Sequence, residues 1–179
     1  MVKDILRSTN PHLRQKSKKV VKIDKKILSL IADLKETLLF QKDPEGVGLA
    51  APQIGKNIRI FVIKDGEETK VFINPGIIKT EKSKTSSKGR LASGEKNKIM
   101  EGCLSLPHFY GPLKRPYKVK VKYLSEKGEE RLVGYQGLSA QIIQHEIDHL
   151  NGILFIDRLL EQKKPLYELK NGEWQEVEL

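Results

Sequence analysis

The chain has 179 residues, enough for one domain with a sizeable core, and its 33 Lys and Arg against 23 Asp and Glu leave a formal net charge of +10 that favours polyanionic surroundings. No apolar run approaches the roughly 20 residues of a membrane span, and the start Met1-Val2-Lys3-Asp4 has no apolar signal core. A lone cysteine excludes an internal disulfide and agrees with a reducing, cytoplasmic setting.

In chain order, residues 4–22 combine Asn10-Pro11 with a run of bases and read as an irregular arm. From Asp24, an N-cap candidate, Ile27, Leu28, Ile31, Leu34, Leu38 and Leu39 recur at helical spacing, and the helix should end near Gln41, before Asp43-Pro44. Gly46 to Gln53 follows, a small-residue stretch that lets backbone approach a partner closely and lacks the Gly-Lys-Ser/Thr of a phosphate loop. Ile58 to Ile63 and Val71 to Ile73 read as strands, with turns at Asp65-Gly66 and Asn74-Pro75-Gly76. Residues 79–98 hold seven bases and two acids without aromatics, a composition expected of a solvated, mobile insertion.

Tyr117, Val119, Val121 and Tyr123 alternate with Lys118, Lys120 and Lys122, the period of a half-buried strand, and Lys127-Gly128 turns it back into Arg131 to Tyr135. Gly137 and Ser139 open a helix that Asn151-Gly152 should stop. Its Ile143, Ile147 and Leu150 share one face, while Gln141, His145 and His149 share the other. In the tail, 164–179, two apolar runs flank Asn171-Gly172 and suggest a hairpin. The expected architecture is α+β in a single domain, 1–179: mostly antiparallel sheets packed around the motif-bearing helix, with an N-terminal helix.

The chemistry concentrates in Gln144 to His149. His145 and His149, four apart on a helix, can each give a ring nitrogen to one metal ion, and Glu146 points beside them as a general base. A pair of histidines at this spacing is also compatible with a partly buried helix face, so a third ligand decides. One protease class places a third His six residues after the second, but Phe155 stands there and cannot ligate. Glu161, Glu168, Glu173, His12, His108 and Cys103 remain.

Gly46 to Gln53, Glu101 to Ser105 and Gln144 to His149 resemble, in this order, the three signature motifs of the peptide deformylases, enzymes that remove the formyl group from nascent bacterial proteins. The resemblance implies that Cys103 joins His145 and His149 as metal ligand, with ferrous iron favoured over zinc. A thiolate and two neutral imidazoles would leave a fourth position open, as a catalytic site requires. It also implies that the Gln53 amide and the Leu104 backbone N–H stabilise the formyl oxygen while Glu146 moves protons. Val47, Gly48, Ile99, Glu101, Leu138 and Ile142 would bind substrate, although Gln141 is unexpectedly polar for such a wall. The implied partners are N-formyl-methionyl nascent peptides, with ribosome contact through the basic surface. The basic insertion and the hairpin tail depart from the family pattern. Two other readings stay open: a zinc peptidase with Glu168 or Glu173 as third ligand, and a basic RNA- or ribosome-binding module whose histidines are structural.

Overall fold

A computed structural model describes residues 1–82 and 100–179. The N-terminal arm holds one 3-10 turn at Pro11–Arg14 and leads into helix α1, Lys25–Phe40. Asp24 caps this helix: its Oδ1 accepts the N–H groups of Lys26 and Ile27, both at 3.0 Å, two of the donors that a helix start leaves without internal partners. The backbone becomes extended at Gln41, just before Asp43-Pro44. Strand β1 (Gly48–Ala50), a 3-10 turn (Ala51–Ile54), β2 (Ile60–Asp65) and β3 (Glu68–Glu81) follow, then β4 (Glu101–Cys103), β5 (Leu106–Gly111), β6 (Lys118–Leu124) and β7 (Glu130–Gln136). Helices α2 (Leu138–Leu150) and α3 (Phe155–Glu161) precede the strands β8 (Leu166–Lys170) and β9 (Glu173–Val177).

The strands form two antiparallel sheets, in the orders β1-β2-β3-β6-β7 and β4-β5-β8-β9. Successive side chains of a strand point to opposite faces, so the unbroken apolar run of β2 serves two layers at once. Ile60 and Val62 pack with Leu30, Leu34 and Leu38 of α1, whereas Phe61 and Ile63 pack with Ile143 and Ile147 of α2. The larger sheet is therefore held between the two helices. Phe61 stacks on Phe72 with ring centroids 4.5 Å apart, an arrangement worth about 0.5–1.5 kcal/mol beyond the buried area. A third cluster, Leu113, Phe155, Leu159 and Leu166, seats α3 against the smaller sheet. Among the described residues, no helix is long and apolar enough to cross a membrane.

The α+β architecture with a central motif helix is as expected, and three local expectations change. The turn expected at Asn74-Pro75-Gly76 is absent: β3 runs through it with a register shift between Ile73 and Gly76. Asn74 adopts a left-handed φ of 50°. Its amide exchanges two 2.8 Å hydrogen bonds with the backbone of Val20, so the arm satisfies the polar side chain and the strand resumes. The basic stretch starts inside β3 at 79–81, and its remainder from 83 lies outside the described residues. Helix α3 had no counterpart in the sequence reading. Its seven residues offer too few turns for a periodic signal, and its Leu154 N–H is capped by Asp157 Oδ2 at 2.7 Å.

Candidate metal centre and active site

Helix α2 starts at Gly137, where φ is 63° and the N–H donates to Tyr117 O at 2.9 Å. The helix buries its apolar stripe against the larger sheet, and Gln144 to Leu150 are buried without a break. The polar face of α2 is thus enclosed by the segment β4–β5, and that enclosure creates the site. Cys103, at the end of β4, has Sγ 3.3 Å from His149 Nε2. The ligand atoms of Cys103, His145 and His149 all lie within 4.8 Å of one another, the one such group of metal-capable donors among the described residues. The two rings meet edge to face, with centroids 4.9 Å apart. Glu168 and Glu173 sit on β8 and β9 and are not members of this group, so the peptidase reading loses its third ligand.

The electrostatics favour a cation. Burial alone would push the Cys103 thiol up, but the two adjacent imidazoles hold it well below its usual range, in the thiolate form that binds metal. Burial would lower His145, and the thiolate together with Glu101 raises it instead. Metal uptake would therefore release a proton. His145 Nδ1 donates to Glu101 Oε1 at 2.7 Å, which fixes the ring and aims its other nitrogen at the site. His149 Nδ1 is buried without a partner among the described residues. A soft thiolate with two imidazoles fits zinc or ferrous iron.

The sequence left Glu101 as a pocket residue; its carboxylate turns out to be fully engaged. Arg115 grips both oxygens at 2.7 Å, and the Gln141 amide donates to Oε2 at 3.2 Å. That contact explains the polar side chain in this wall. Arg115 also reaches Asp148 Oδ2 at 2.9 Å, and Arg158 of α3 binds both oxygens of Asp148, at 3.1 and 2.7 Å. An alternating chain of charges thus links α3, the loop before β6 and α2 to the ring of His145. Arg115 gives no local signal in Lys114-Arg115-Pro116. Asp148, three residues after His145, could have been flagged by helical geometry alone.

Burial would raise the Glu101 carboxyl, yet Arg115 and His145 hold it down at about 2. A depressed folded-state value means stability that is complete above the unfolded value near 4.5 and is lost as pH falls from there through about 2, on the order of 3 kcal/mol in all. Glu101→Gln should therefore destabilise the protein at pH 7 and much less at pH 3. Urea titrations at both pH values check this; an equal deficit at both would show that the ion pairs carry no such term.

The cavity in front of these residues measures about 460 Å³, within the range of small-ligand sites. Val47, Gly48, Gln53, Glu101, Leu104, Leu138, Ile142 and Glu146 all line it, while Ile99 lies outside the described residues. Met100, Phe109 and Tyr110 also contribute, though nothing in their local sequence marks them, and His108, a candidate ligand by residue type, lines the cavity outside the metal group. A methyl group at Gly48 would lie 2.9 Å from Cδ of Glu146, so only glycine lets β1 pass over that carboxylate. Burial pushes Glu146 up to about 7, and its Oε2 has no partner among the described residues. Gln53 is oriented by the Ala50 N–H, which donates to Oε1 at 2.8 Å. Its Nε2 is thereby turned toward Ser105 Oγ at 3.2 Å and Cys103 Sγ at 3.7 Å.

Residues 2–165 match the family model of the polypeptide deformylases. A peptide deformylase of Pseudothermotoga lettingae is 45% identical over 157 residues, 88% of this chain and 82% of its own length. Peptide deformylase 1 of Clostridium acetobutylicum is 47% identical over 151 residues, 84% of this chain and 90% of its own. The crystal structure of the Legionella pneumophila peptide deformylase is similar with a TM-score of 0.75 at 38% identity, covering 89% of this chain and 86% of that one. A likeness that runs through the fold and through all three cavity-lining segments is one of descent, and the chain belongs to the polypeptide deformylase family.

Proposed function

We propose that this cavity hydrolyses the formamide bond with Cys103, His145 and His149 holding one divalent metal ion, Glu146 handling protons, and Gln53 and Leu104 stabilising the formyl oxygen. The chain is a hydrolase that removes the N-formyl group from the N-terminal methionine of nascent proteins and releases formate. The convergence of a thiolate and two imidazoles beside a buried, protonatable carboxylate carries this assignment of roles. When bound, the metal supplies a Lewis acid and makes water more acidic.

Glu146 takes the proton of the attacking water and returns it to the departing amine. A carboxyl raised to about 7 is matched to both steps near neutral pH. As attack proceeds, negative charge gathers on the formyl oxygen, and the Gln53 amide with the Leu104 N–H receives it; losing one such donor typically costs about 3–4 kcal/mol of barrier. Val47, Gly48, Leu138 and Ile142 take the methionine side chain. Glu101 supports His145 from the same wall.

Ferrous iron is the metal we assign in the cell, which is the cytoplasm where nascent chains emerge. Formate release from a formyl-Met peptide by anaerobically prepared, metal-quantified enzyme tests the assignment. Iron-loaded enzyme should turn over faster than zinc-loaded enzyme, and the reverse order would remove iron. For ribosome contact, the supporting feature is the exposed row Lys118, Lys120 and Lys122 on β6, with Lys79 paired opposite Lys120. Lys79 and Lys122 also pair with Glu81 and Glu130, at 3.0 and 2.9 Å, so the opposition of Lys79 and Lys120, unfavourable in itself, is partly offset within the sheet. Unchanged co-sedimentation with ribosomes after Lys118→Glu and Lys120→Glu would exclude this surface.

A further inference from the structure

The N-terminal arm touches the first two motif segments, and the residue that follows the third, by backbone hydrogen bonds. The Leu6 N–H donates to Gln53 O at 2.8 Å, the Ser8 N–H to Ser105 O at 2.8 Å, and the Ser17 N–H to Leu150 O at 2.9 Å. The first two acceptors belong to the very residues whose side chains meet in front, where Gln53 Nε2 lies 3.2 Å from Ser105 Oγ. Two residues of backbone span at most about 7 Å, so Leu6 and Ser8 limit how far the 3-10 turn and the β4–β5 connection can separate. The arm is anchored independently of the site. Leu13 is fully buried, and a methyl group at Gly152 would meet the Arg14 backbone carbon at 2.7 Å, so the arm crosses the end of α2 in close contact.

From this geometry we infer that the arm is a positioning device for catalysis: the N–H groups of Leu6 and Ser8 set the Gln53 amide relative to Cys103. The inference rests on the reading of Gln53 as donor to the formyl oxygen. Such a donor must lie within a few tenths of an ångström of its working distance, and about 1 Å of displacement can cost on the order of 100-fold in rate. Loosening the arm therefore acts on the transition state, where charge on the oxygen is greatest, and not on substrate affinity.

Ser8→Pro removes the bonding N–H, whereas Arg7→Pro places the same ring at an exposed neighbour whose N–H makes none of these three bonds. With metal-loaded enzyme and a formyl-Met peptide, Ser8→Pro should lower kcat on the order of 10- to 100-fold, with KM and metal content unchanged; Arg7→Pro should keep kcat. In a Gln53→Ala background, Ser8→Pro should add little, because the two changes remove one interaction. Retained kcat in Ser8→Pro, equal losses in both proline variants, or additive losses with Gln53→Ala would each overturn the inference. If Ser8→Pro does not fold, an ester in place of the amide at position 8 deletes the N–H alone and is read the same way. Gln53→Ala with full kcat would instead sink the donor reading, so the two failures are distinguishable.

Discussion

Replacing Glu146 with Ala or Gln is expected to leave one metal ion per chain and to lower kcat by about 10²–10⁴-fold. The carboxylate lies next to His145 in sequence but outside the group formed by Cys103, His145 and His149, so its loss removes no ligand. It is buried at 3% exposure beneath Gly48, and burial is the main reason its carboxyl is raised to about 7. Gln keeps the shape and the packing under β1 but can neither take nor return a proton. The two variants should therefore fail alike in turnover, while Gln should stay nearer the parent in stability. Metal quantification beside formate release checks this. A metal-replete Glu146→Gln enzyme with parental kcat would remove Glu146 from the reaction.

Cys103→Ser is expected to fail differently, by losing the metal. The thiol is held in its ionised form by the two imidazoles, and a thiolate offsets one of the two charges of a divalent ion. A serine hydroxyl at the same place stays neutral and is a harder, poorer donor for zinc or iron. Loss of an outer partner of a metal ligand costs about 10–100-fold in affinity, and loss of a ligand should cost more than that. Elemental analysis after dialysis against a chelator should find the variant empty and the parent loaded. Full metal content in Cys103→Ser would show that the ion is held elsewhere and would reopen the carboxylates of β8 and β9 as ligands.

Much of this protein is legible one segment at a time, because the forces involved act over short stretches of chain. Asp24 caps α1 through its own neighbours, Gly66 and Asn171-Gly172 turn hairpins through left-handed φ values of 67°, 52° and 79°, and β6 alternates Lys with buried Val and Tyr. His145, Glu146 and His149 are set by one turn of helix, so two ring nitrogens and a carboxylate could be read together. The third donor could not. Cys103 lies 46 residues before His149, and nothing in its spacing to the helix announces contact; only the likeness to a known family pointed to it.

The tertiary structure decided what depends on segments meeting. It enclosed the polar face of α2, raising Glu146 by burial, and brought Cys103 against two imidazoles that lower it, shifts that no linear pattern encodes because contacts between distant segments create them. It turned Gln141 from an odd wall residue into a hydrogen-bond donor to Glu101, and it recruited Arg115, Asp148 and Arg158 to hold His145 from behind. It also led the arm across two of the motifs and the end of α2, using backbone N–H groups that every non-proline residue possesses and that therefore leave no trace in the sequence. Local spacing determined which atoms could do chemistry; long-range packing determined their charge and their place.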